Sequence, residues 1–317
     1  MALQSIFARF KTGFAIAKAS LGILRREKWL LAFPMLYGLA LVAGMGVLIV
    51  GVAAVVLGTT FGLAALDQLA AVSDGTGETT FTVLGLAVSF LGLFAATAIS
   101  TFFSAALVYS VGQLFGGEQT SLRDGLAGAW ESKRTILAWG VVGAVVGMIF
   151  RALESQDGWG AQIVRMIAGA AWFMMTFFIV PVIVFQDGGV RESLRESVTT
   201  FRETWGESGG VTLGIGLVIV PLILATLAVG IGAPLLLAAE PGSVLVYTVV
   251  PTLLVVGALL VVQNAAVAIA KTALYKYATD GDLPEEFDGI DPNAITKPKG
   301  SSSGMMGGTS GRQPGNI

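Results

Sequence analysis

The sequence predicts an all-α polytopic membrane protein in which six transmembrane helices form three units, each a surface helix followed by a transmembrane hairpin. Composition is the first reason, because 54% of the 317 residues are apolar and only 13% are charged, whereas soluble domains carry about 25% charged residues. The second reason is a set of four charge-free stretches, residues 29–66, 79–117, 208–239 and 241–270. Each exceeds the roughly 20 residues that a helix needs to cross about 30 Å of hydrocarbon. The third reason is a motif that occurs twice, each time before a pair of apolar segments.

The membrane domain is predicted at residues 29–278. Its six spans lie at about 29–57, 81–112, 135–151, 166–186, 210–238 and 244–270. The third span is the shortest, since its charge-free part reaches roughly 24 Å at 1.5 Å per residue. It crosses the bilayer if Arg151 extends its guanidinium to the interface. Residues 279–317 are rich in Gly, Ser, Pro and acids, which predicts a disordered cytoplasmic tail.

Residues 1–28 are predicted to form a cytoplasmic amphipathic helix. Its apolar residues recur at spacings of three and four and so lie on one face; they are Leu3, Ile6, Phe7, Phe10, Phe14, Ala17, Leu21 and Leu24. Six basic residues accompany them, with Glu27 as the only acid. Two placements fit this pattern: either the helix lies in the membrane interface, or its apolar face packs on the protein's own cytoplasmic surface.

The repeated motif occupies residues 116–124 (GGEQTSLRD) and, 72 positions later, residues 188–196 (GGVRESLRE). In both copies the Gly-Gly pair is predicted to end the preceding span, and the following residues begin a surface helix. The charged residues of these helices either form a solvated face or contact anionic lipid headgroups, which is worth about 1 kcal/mol per basic residue. The first unit, formed by the N-terminal helix and residues 29–115, matches the third only weakly, through residues 26–29 (REKW) and 202–205 (RETW).

The caps of the two surface helices are predicted to lie outside the shared serines. Ser121 and Ser193 do not take the first cap positions in this prediction, and Thr120 and Asp187 are the alternatives. A side-chain oxygen at the cap satisfies backbone N–H groups that the first turn of a helix leaves unpaired.

Lysine and arginine sort to one side of the predicted topology. The two termini of a six-span chain lie on the same side, and 17 of the 19 basic residues fall there. Arg151 and Arg165 fall on the other side, where they either form local ion pairs with Glu154 and Asp157 or make an anion-attracting vestibule. The positive-inside rule then predicts a multi-pass protein of the cell membrane with both termini in the cytoplasm.

Small residues indicate where the spans pack. Gly140, Gly143 and Gly147 are spaced three and four apart, and small residues let transmembrane helices approach closely. Such a stripe serves either packing within the chain or dimerisation, and the first is favoured in a protein of six spans. Trp172 lies deeper than the interfacial aromatic residues and is predicted to pack between helices.

Residues that carry chemistry are few. The chain has no cysteine and no histidine, which excludes disulfides, thiolate nucleophiles and imidazole bases. It lacks a phosphate loop, a nucleotide fingerprint and a serine nucleophile motif. We therefore predict no catalytic residue, no cofactor, no metal site, no enzyme activity and no nucleic-acid partner. The predicted partner is the lipid bilayer, with anionic headgroups at the cytoplasmic face.

Three uncharged polar residues lie near the cytoplasmic interface: Gln113 at the end of the second predicted span, and Gln263 and Asn264 in the sixth. They are predicted to form hydrogen bonds between helices. The alternative is a shallow binding cleft that opens to the cytoplasm.

The N-terminal pattern from residue 7 (FARF) through residues 20–34 (SLGILRREKWLLAFP) resembles the start of a family of multi-spanning membrane proteins of unknown function. The stretch from Pro181 through DGG at 187–189 to Trp205 resembles the second landmark of that family. The layout is similar to the membrane domain attached to some glycerophosphodiester phosphodiesterases. The resemblance covers about residues 7–275, implies a six-span fold and implies no established activity.

Three functions are compatible with these observations. The first is a non-enzymatic membrane component that organises lipids or partner proteins through its cytoplasmic surface helices. The second is a transporter or channel for a small or lipidic solute, and the third is an enzyme subunit of lipid metabolism. A polar cavity that reaches the middle of the membrane would favour transport, whereas a solid glycine-packed core would favour the first function.

Overall fold

The computed structural model describes residues 15–16, 18–67, 76–154, 158–186, 188–203, 215–216, 219–232, 241–281 and 283–287. Nearly all of these residues are helical, and none of them is in a β-strand. The prediction of an all-α protein is therefore confirmed for the described part of the chain.

Ten helices are distinguished along the described residues, with short 3-10 turns at Lys28–Leu31 and Glu285–Phe287. Their bounds are 18–26 (α1), Ala32–Asp67 (α2), Thr76–Phe115 (α3), Leu122–Glu131 (α4), Lys133–Glu154 (α5), Trp159–Thr176 (α6), Ile179–Phe185 (α7), Val190–Glu203 (α8), Ile219–Gly232 (α9) and Pro241–Asp280 (α10).

Five helical segments are long and apolar enough to cross a membrane. They are Lys28–Gly51, Gly85–Phe115, Lys133–Glu154, Trp159–Phe185 and Tyr247–Asp280. They correspond to the predicted spans one, two, three, four and six. The predicted fifth span, 210–238, is described only in part, and α9 within it is shorter than a full crossing. A membrane protein with several spans is supported, and the sixth span stays a prediction.

Two of these helices are longer than a bilayer is thick. The segments Gly85–Phe115 and Tyr247–Asp280 hold 31 and 34 residues, or about 46 and 51 Å at 1.5 Å per residue, against about 30 Å of hydrocarbon. Helix α10 thus continues past residue 270, the predicted end of the sixth span, as far as Asp280. Lys271 does not stop α10 because lysine has a good helix propensity.

Buried residues gather at one end of the bundle, which we call the capped end: the end at which α2 and α5 begin and α3, α7 and α10 finish. Leu30 and Phe33 are fully buried there, as are most residues of 105–111 and 265–275. Beyond that end the helices expose large apolar side chains, for example Leu39 at 67% and Leu254 at 70%. Soluble proteins rarely expose so much contiguous apolar surface, whereas a lipid-facing surface requires it.

The glycine stripe of α5 packs against α3. A Cβ atom at Gly140 would contact Phe94 and Ala98, and one at Gly143 would collide with Thr97. At Gly147 it would meet Leu93. The prediction of packing within the chain is thus confirmed, because these glycines allow the two backbones to approach.

The N-terminal helix packs on the capped end of the bundle, which decides between its two predicted placements for residues from 15 onward. Ile16, Ser20, Ile23 and Leu24 are buried there. The predicted face was rotated by about one residue, because it placed Leu21 inward, and Leu21 is only partly buried. The predicted apolar residues 3–14 lie outside the described residues.

The first residues of the predicted disordered tail, 279–317, are ordered in the structure as far as they are described. Helix α10 continues to Asp280, and the turn Glu285–Phe287 follows. Phe287 is buried, with its ring centroid 5.9 Å from that of Phe115 in an edge-to-face arrangement. The tail prediction is wrong for these residues because it used average composition, whereas one aromatic side chain is enough to dock a polar segment. Residues 288–317 lie outside the described residues.

Candidate functional site

The capped end carries both copies of the repeated motif, so we take it as the candidate site. In the first copy, α3 ends at Phe115 and Gly117 adopts a positive φ of 77°. The N–H of Glu118 donates to the carbonyl of Gln113, and the N–H of Gly117 donates to that of Leu114. This is a Schellman motif, which needs a left-handed residue at the position of Gly117. The prediction that Gly-Gly ends the span is confirmed for this copy.

Ser121 caps α4, contrary to the prediction. Its hydroxyl accepts a hydrogen bond from the Asp124 N–H, and the Asp124 carboxylate accepts from the Ser121 N–H at 3.0 Å, which completes a capping box. The serine hydroxyl also donates to that carboxylate at 2.6 Å. These hydrogen bonds lower the pKa of Asp124, with the side-chain bond from Ser121 as the largest cause. Thr120, the predicted alternative, is not the cap, because α4 begins at Leu122, after the Schellman turn.

Helix α4 rests on the bundle through two glycines. Gly125 packs on Phe33 and on the Ser110 side chain, and Gly128 lies against the ring of Tyr109. A side chain at either position would collide with these groups. The close fit fixes α4 to α3 and leaves its polar residues on the outside.

Helix α8 begins one turn earlier in its repeat than α4 does, and this changes the role of the shared serine. Ser193 lies inside the helix, is buried, and its Oγ has no hydrogen-bond partner within the described residues. Ser197, one turn further, accepts a hydrogen bond from the Phe178 N–H at 3.2 Å. That N–H lies at the break between α6 and α7, so the α8 side chain satisfies a buried backbone group. Ser193 is not a cap, as predicted, and Asp187 lies outside the described residues.

An aromatic cluster lies beneath α8. The ring centroid of Phe177 lies 4.8 Å from that of Phe178 and 5.5 Å from that of Phe201. The Lys271 ammonium lies 4.5 Å from the Phe177 centroid, within the range of a cation–π interaction. Tyr275 stacks on Phe185 at 5.8 Å. This cluster joins α6, α7, α8 and α10 into one packed unit.

Polar side chains connect this packed unit internally and to the start of α5. The Gln186 amide donates to the Tyr275 hydroxyl at 3.1 Å, and the Ser132 hydroxyl donates to the Ile183 carbonyl at 3.1 Å. The Thr135 hydroxyl donates to the Gly188 carbonyl at 3.2 Å. Two of these bonds, Gln186–Tyr275 and Thr135–Gly188, join the second predicted unit to the third, whereas Ser132 and Ile183 both lie in the second unit. The composition of the sequence gave no signal for this pairing.

The charges of α8 are separated by face. At about 100° per residue, Arg191, Arg195 and Arg202 fall within about 40° of one another, beside Val198, and we call these three arginines the basic stripe. Glu192 and Glu196 fall on a neighbouring face, and the serines lie on the buried face. Counted along the sequence, the three acids of α8 equal its three arginines in number, whereas on the helix the two signs lie on different faces. The sequence signal for this separation of charge is the spacing of the arginines and acids at about 100° per residue.

A cavity of about 480 Å³ lies between α6 and α8. The wall from α6 is formed by Ala171, Met174 and Met175, and the wall from α8 by Val198 and Phe201. Arg202 of the basic stripe completes the lining. The cavity is therefore apolar with one cation at its edge.

A second cavity, of about 400 Å³, lies between α3 and α5 at the opposite end of the bundle and includes Ser89 and Arg151. The Arg151 guanidinium donates to the Ser89 hydroxyl at 3.2 Å. This contact ties α5 to α3, which sequence reasoning had not foreseen. The predicted partner Asp157 lies outside the described residues.

Two of the three polar residues that were predicted to join helices, Gln113 and Asn264, bond within their own helices instead. The Gln113 amide donates to the Tyr109 hydroxyl at 3.2 Å, and the Asn264 amide donates to the Leu260 carbonyl at 2.9 Å. Side chains four residues apart lie on one helix face, which makes these local bonds available without a partner helix. Trp172, by contrast, stacks on Trp139 at 5.6 Å, which confirms its predicted packing role.

A protein-family model matches the part of the chain that contains most of these helices. Residues 83–284 match the model of a family described as "Family of unknown function (DUF6159)", from the start of the second span to the turn before Phe287. The chain belongs to this family. No curated protein and no solved structure matches it. The resemblance in layout to the membrane domain of glycerophosphodiester phosphodiesterases is not shown by any of these matches.

Proposed function

We propose that this member of the family is a non-enzymatic component of the cell membrane that organises anionic lipids at its cytoplasmic face. The observation that carries the proposal is the separation of charge on α8. The basic stripe presents three arginines on one face, while the buried serines and Phe201 anchor the opposite face to the bundle. Each basic residue near an anionic surface contributes about 1 kcal/mol, and the stripe presents its three arginines on one face while Glu192, Glu196 and Glu203 lie on a neighbouring face.

The packing of the described spans supports this function over transport. The α3–α5 contact is closed by glycines against Thr97 and Phe94, where a polar route would need space. The cavity between α6 and α8 is walled by apolar side chains, and the cavity at Arg151 lies at the far end of the bundle. Neither is a polar cavity at the middle of the helices.

Lipid preference is measured with spin-labelled phosphatidylglycerol and phosphatidylcholine in vesicles that contain the full chain. The test variant carries Arg191→Gln and Arg195→Gln. The matched control carries Arg151→Gln and Arg165→Gln at the opposite end of the bundle. We expect the wild type to bind the anionic lipid preferentially, and each stripe arginine to account for up to about fivefold of that preference, equivalent to about 1 kcal/mol.

The test variant should lose this preference and the control should keep it. An equal loss in both variants would mean that total charge, and not the basic stripe, attracts the lipid. A wild type without preference for phosphatidylglycerol would refute the proposed function.

The orientation can be tested separately because the chain has no cysteine. Single cysteines replace Asp74, between the first two predicted spans, and Glu118, at the capped end. With both termini in the cytoplasm, a membrane-impermeant maleimide added to intact cells should label the cysteine at 74 and not the one at 118. The reverse pattern would invert the topology and place the basic stripe outside.

A further inference from the structure

We propose that the cavity between α6 and α8 holds one acyl chain of an anionic phospholipid whose phosphate is bound by Arg202; this inference rests on the proposed function. The cavity volume of about 480 Å³ falls in the range of about 300–1,000 Å³ that small-molecule sites occupy. Met174 and Met175 form part of its wall. Unbranched thioether side chains adapt to flexible apolar ligands.

The apolar wall continues along α6 away from the capped end. Ile167 lies one turn before Ala171, and Val164 lies nearly two turns before it, on the same helix face. Their side chains are 61% and 52% exposed. From Val164 to Met174 the stripe extends about 15 Å. An acyl chain can therefore enter the cavity beside Arg202 and follow α6 toward the middle of the bilayer.

Arg202 supplies the headgroup contact. Its side chain is exposed, it lines the cavity, and it belongs to the basic stripe with Arg195 on the preceding turns. A guanidinium binds phosphate through parallel N–H donors. Because the arginine lies at the edge of an apolar cavity, the site matches a molecule with an anionic head and an apolar chain.

A phospholipid fits this site better than other anions do. A water-soluble phosphate would contact Arg202 alone and leave the walls formed by Met175, Val198 and Phe201 without an apolar partner. Helix α6 is itself part of the span Trp159–Phe185, so its exposed face meets lipid chains in any case. The bilayer thus delivers the occupant directly to the cavity.

The test uses the full chain in vesicles of equal parts phosphatidylcholine and phosphatidylglycerol, with one of the two lipids carrying a photoreactive diazirine in its acyl chain. Labelled peptides are identified by mass spectrometry. Ala171→Phe fills the cavity, and Ala170→Phe is the matched control, since Ala170 is exposed on α6 and does not line the cavity. Arg202→Gln removes the cation and keeps the cavity.

In the wild type we expect the phosphatidylglycerol probe to label the peptide that contains Met174 and Met175 about fivefold more than the phosphatidylcholine probe does. Ala171→Phe should remove this excess of phosphatidylglycerol labelling and Ala170→Phe should keep it. Arg202→Gln should keep the labelling and lose the difference between probes, which also tests the site in a variant with an unchanged core.

An excess of phosphatidylglycerol labelling that survives in Ala171→Phe, or equal labelling of the wild type by the two probes, would overturn the inference. If cavity labelling fails while the spin-label preference that depends on Arg191 and Arg195 persists, only the cavity inference is wrong. If the labelling persists while that preference is absent, the proposed function is wrong.

Discussion

Replacement of Gly143 by alanine should separate the cost of overpacking from helix propensity. A Cβ atom at this position would lie 2.5 Å from Cγ2 and 2.9 Å from Oγ1 of Thr97. Thr97 cannot move aside easily because a β-branched side chain has little freedom about χ1. Overpacking of this kind typically costs about 1–3 kcal/mol. The change from glycine to alanine in a helix gains about 1 kcal/mol, so Gly143→Ala should lower the free energy of unfolding by about 1 kcal/mol.

Gly169→Ala is the matched control. Gly169 also lies within a span, and a Cβ atom there would meet nothing within 4 Å. This variant should therefore keep the gain in propensity and be more stable than Gly143→Ala by about 2 kcal/mol. The assay is thermal unfolding in lipid nanodiscs, followed by the loss of monodisperse protein and by circular dichroism.

Thr97→Ala provides the second half of a double-mutant cycle. It removes both atoms that the new methyl group would strike and leaves only the Cβ at 3.1 Å. The two substitutions together should be more stable than the sum of their separate effects predicts, with a coupling in the usual range of about 0.5–3 kcal/mol for residues in contact. Additive effects, or equal stability of Gly143→Ala and Gly169→Ala, would refute the close packing of α3 and α5.

Two further predictions concern the repeat helices. Ser197→Ala leaves the buried Phe178 N–H without its acceptor and should lower the free energy of unfolding by about 1–3 kcal/mol. The control Thr199→Ala removes an exposed hydroxyl that is bonded to its own helix and should change thermal stability little. Equal effects of the two variants would contradict the Ser197 hydrogen bond. The lowered pKa of Asp124 contributes stability above its ordinary pKa of 3.8, and this contribution is lost as the pH falls through the lower folded-state value. Thermal unfolding over about pH 6 to 3 should show this loss in the wild type and a weaker one in Ser121→Ala, and identical pH profiles would contradict the capping box.

The spans and the glycine stripe could be predicted because both depend on local composition. A helix in lipid needs only length and apolar side chains, and a residue without a side chain permits close approach whichever helix supplies the partner. Residues 29–57 and 135–151 were placed within helices on that ground. The Gly-Gly pair also marked the end of α3. The end of α10 could not be placed, because a charge such as Lys271 limits a membrane span but does not limit a helix that continues into a packed cap.

Less of the candidate site than of the spans could be predicted from the sequence, because the site depends on how the helices pack against one another. The sequence by itself determined an apolar helical chain, two copies of a charged motif and the spacing of the α8 arginines. Only the tertiary structure decided that Ser121 is a cap while Ser193 is buried. The two serines differ because α8 begins one turn earlier in its repeat than α4 does, which places Ser193 inside its helix. The tertiary structure also decided which face of α8 is buried, and so placed Arg202 beside the apolar cavity. The physical reason is that a helix face acquires its environment from the helices packed against it, and residues 171–175 and 198–202 become neighbours only when α8 folds back along α6.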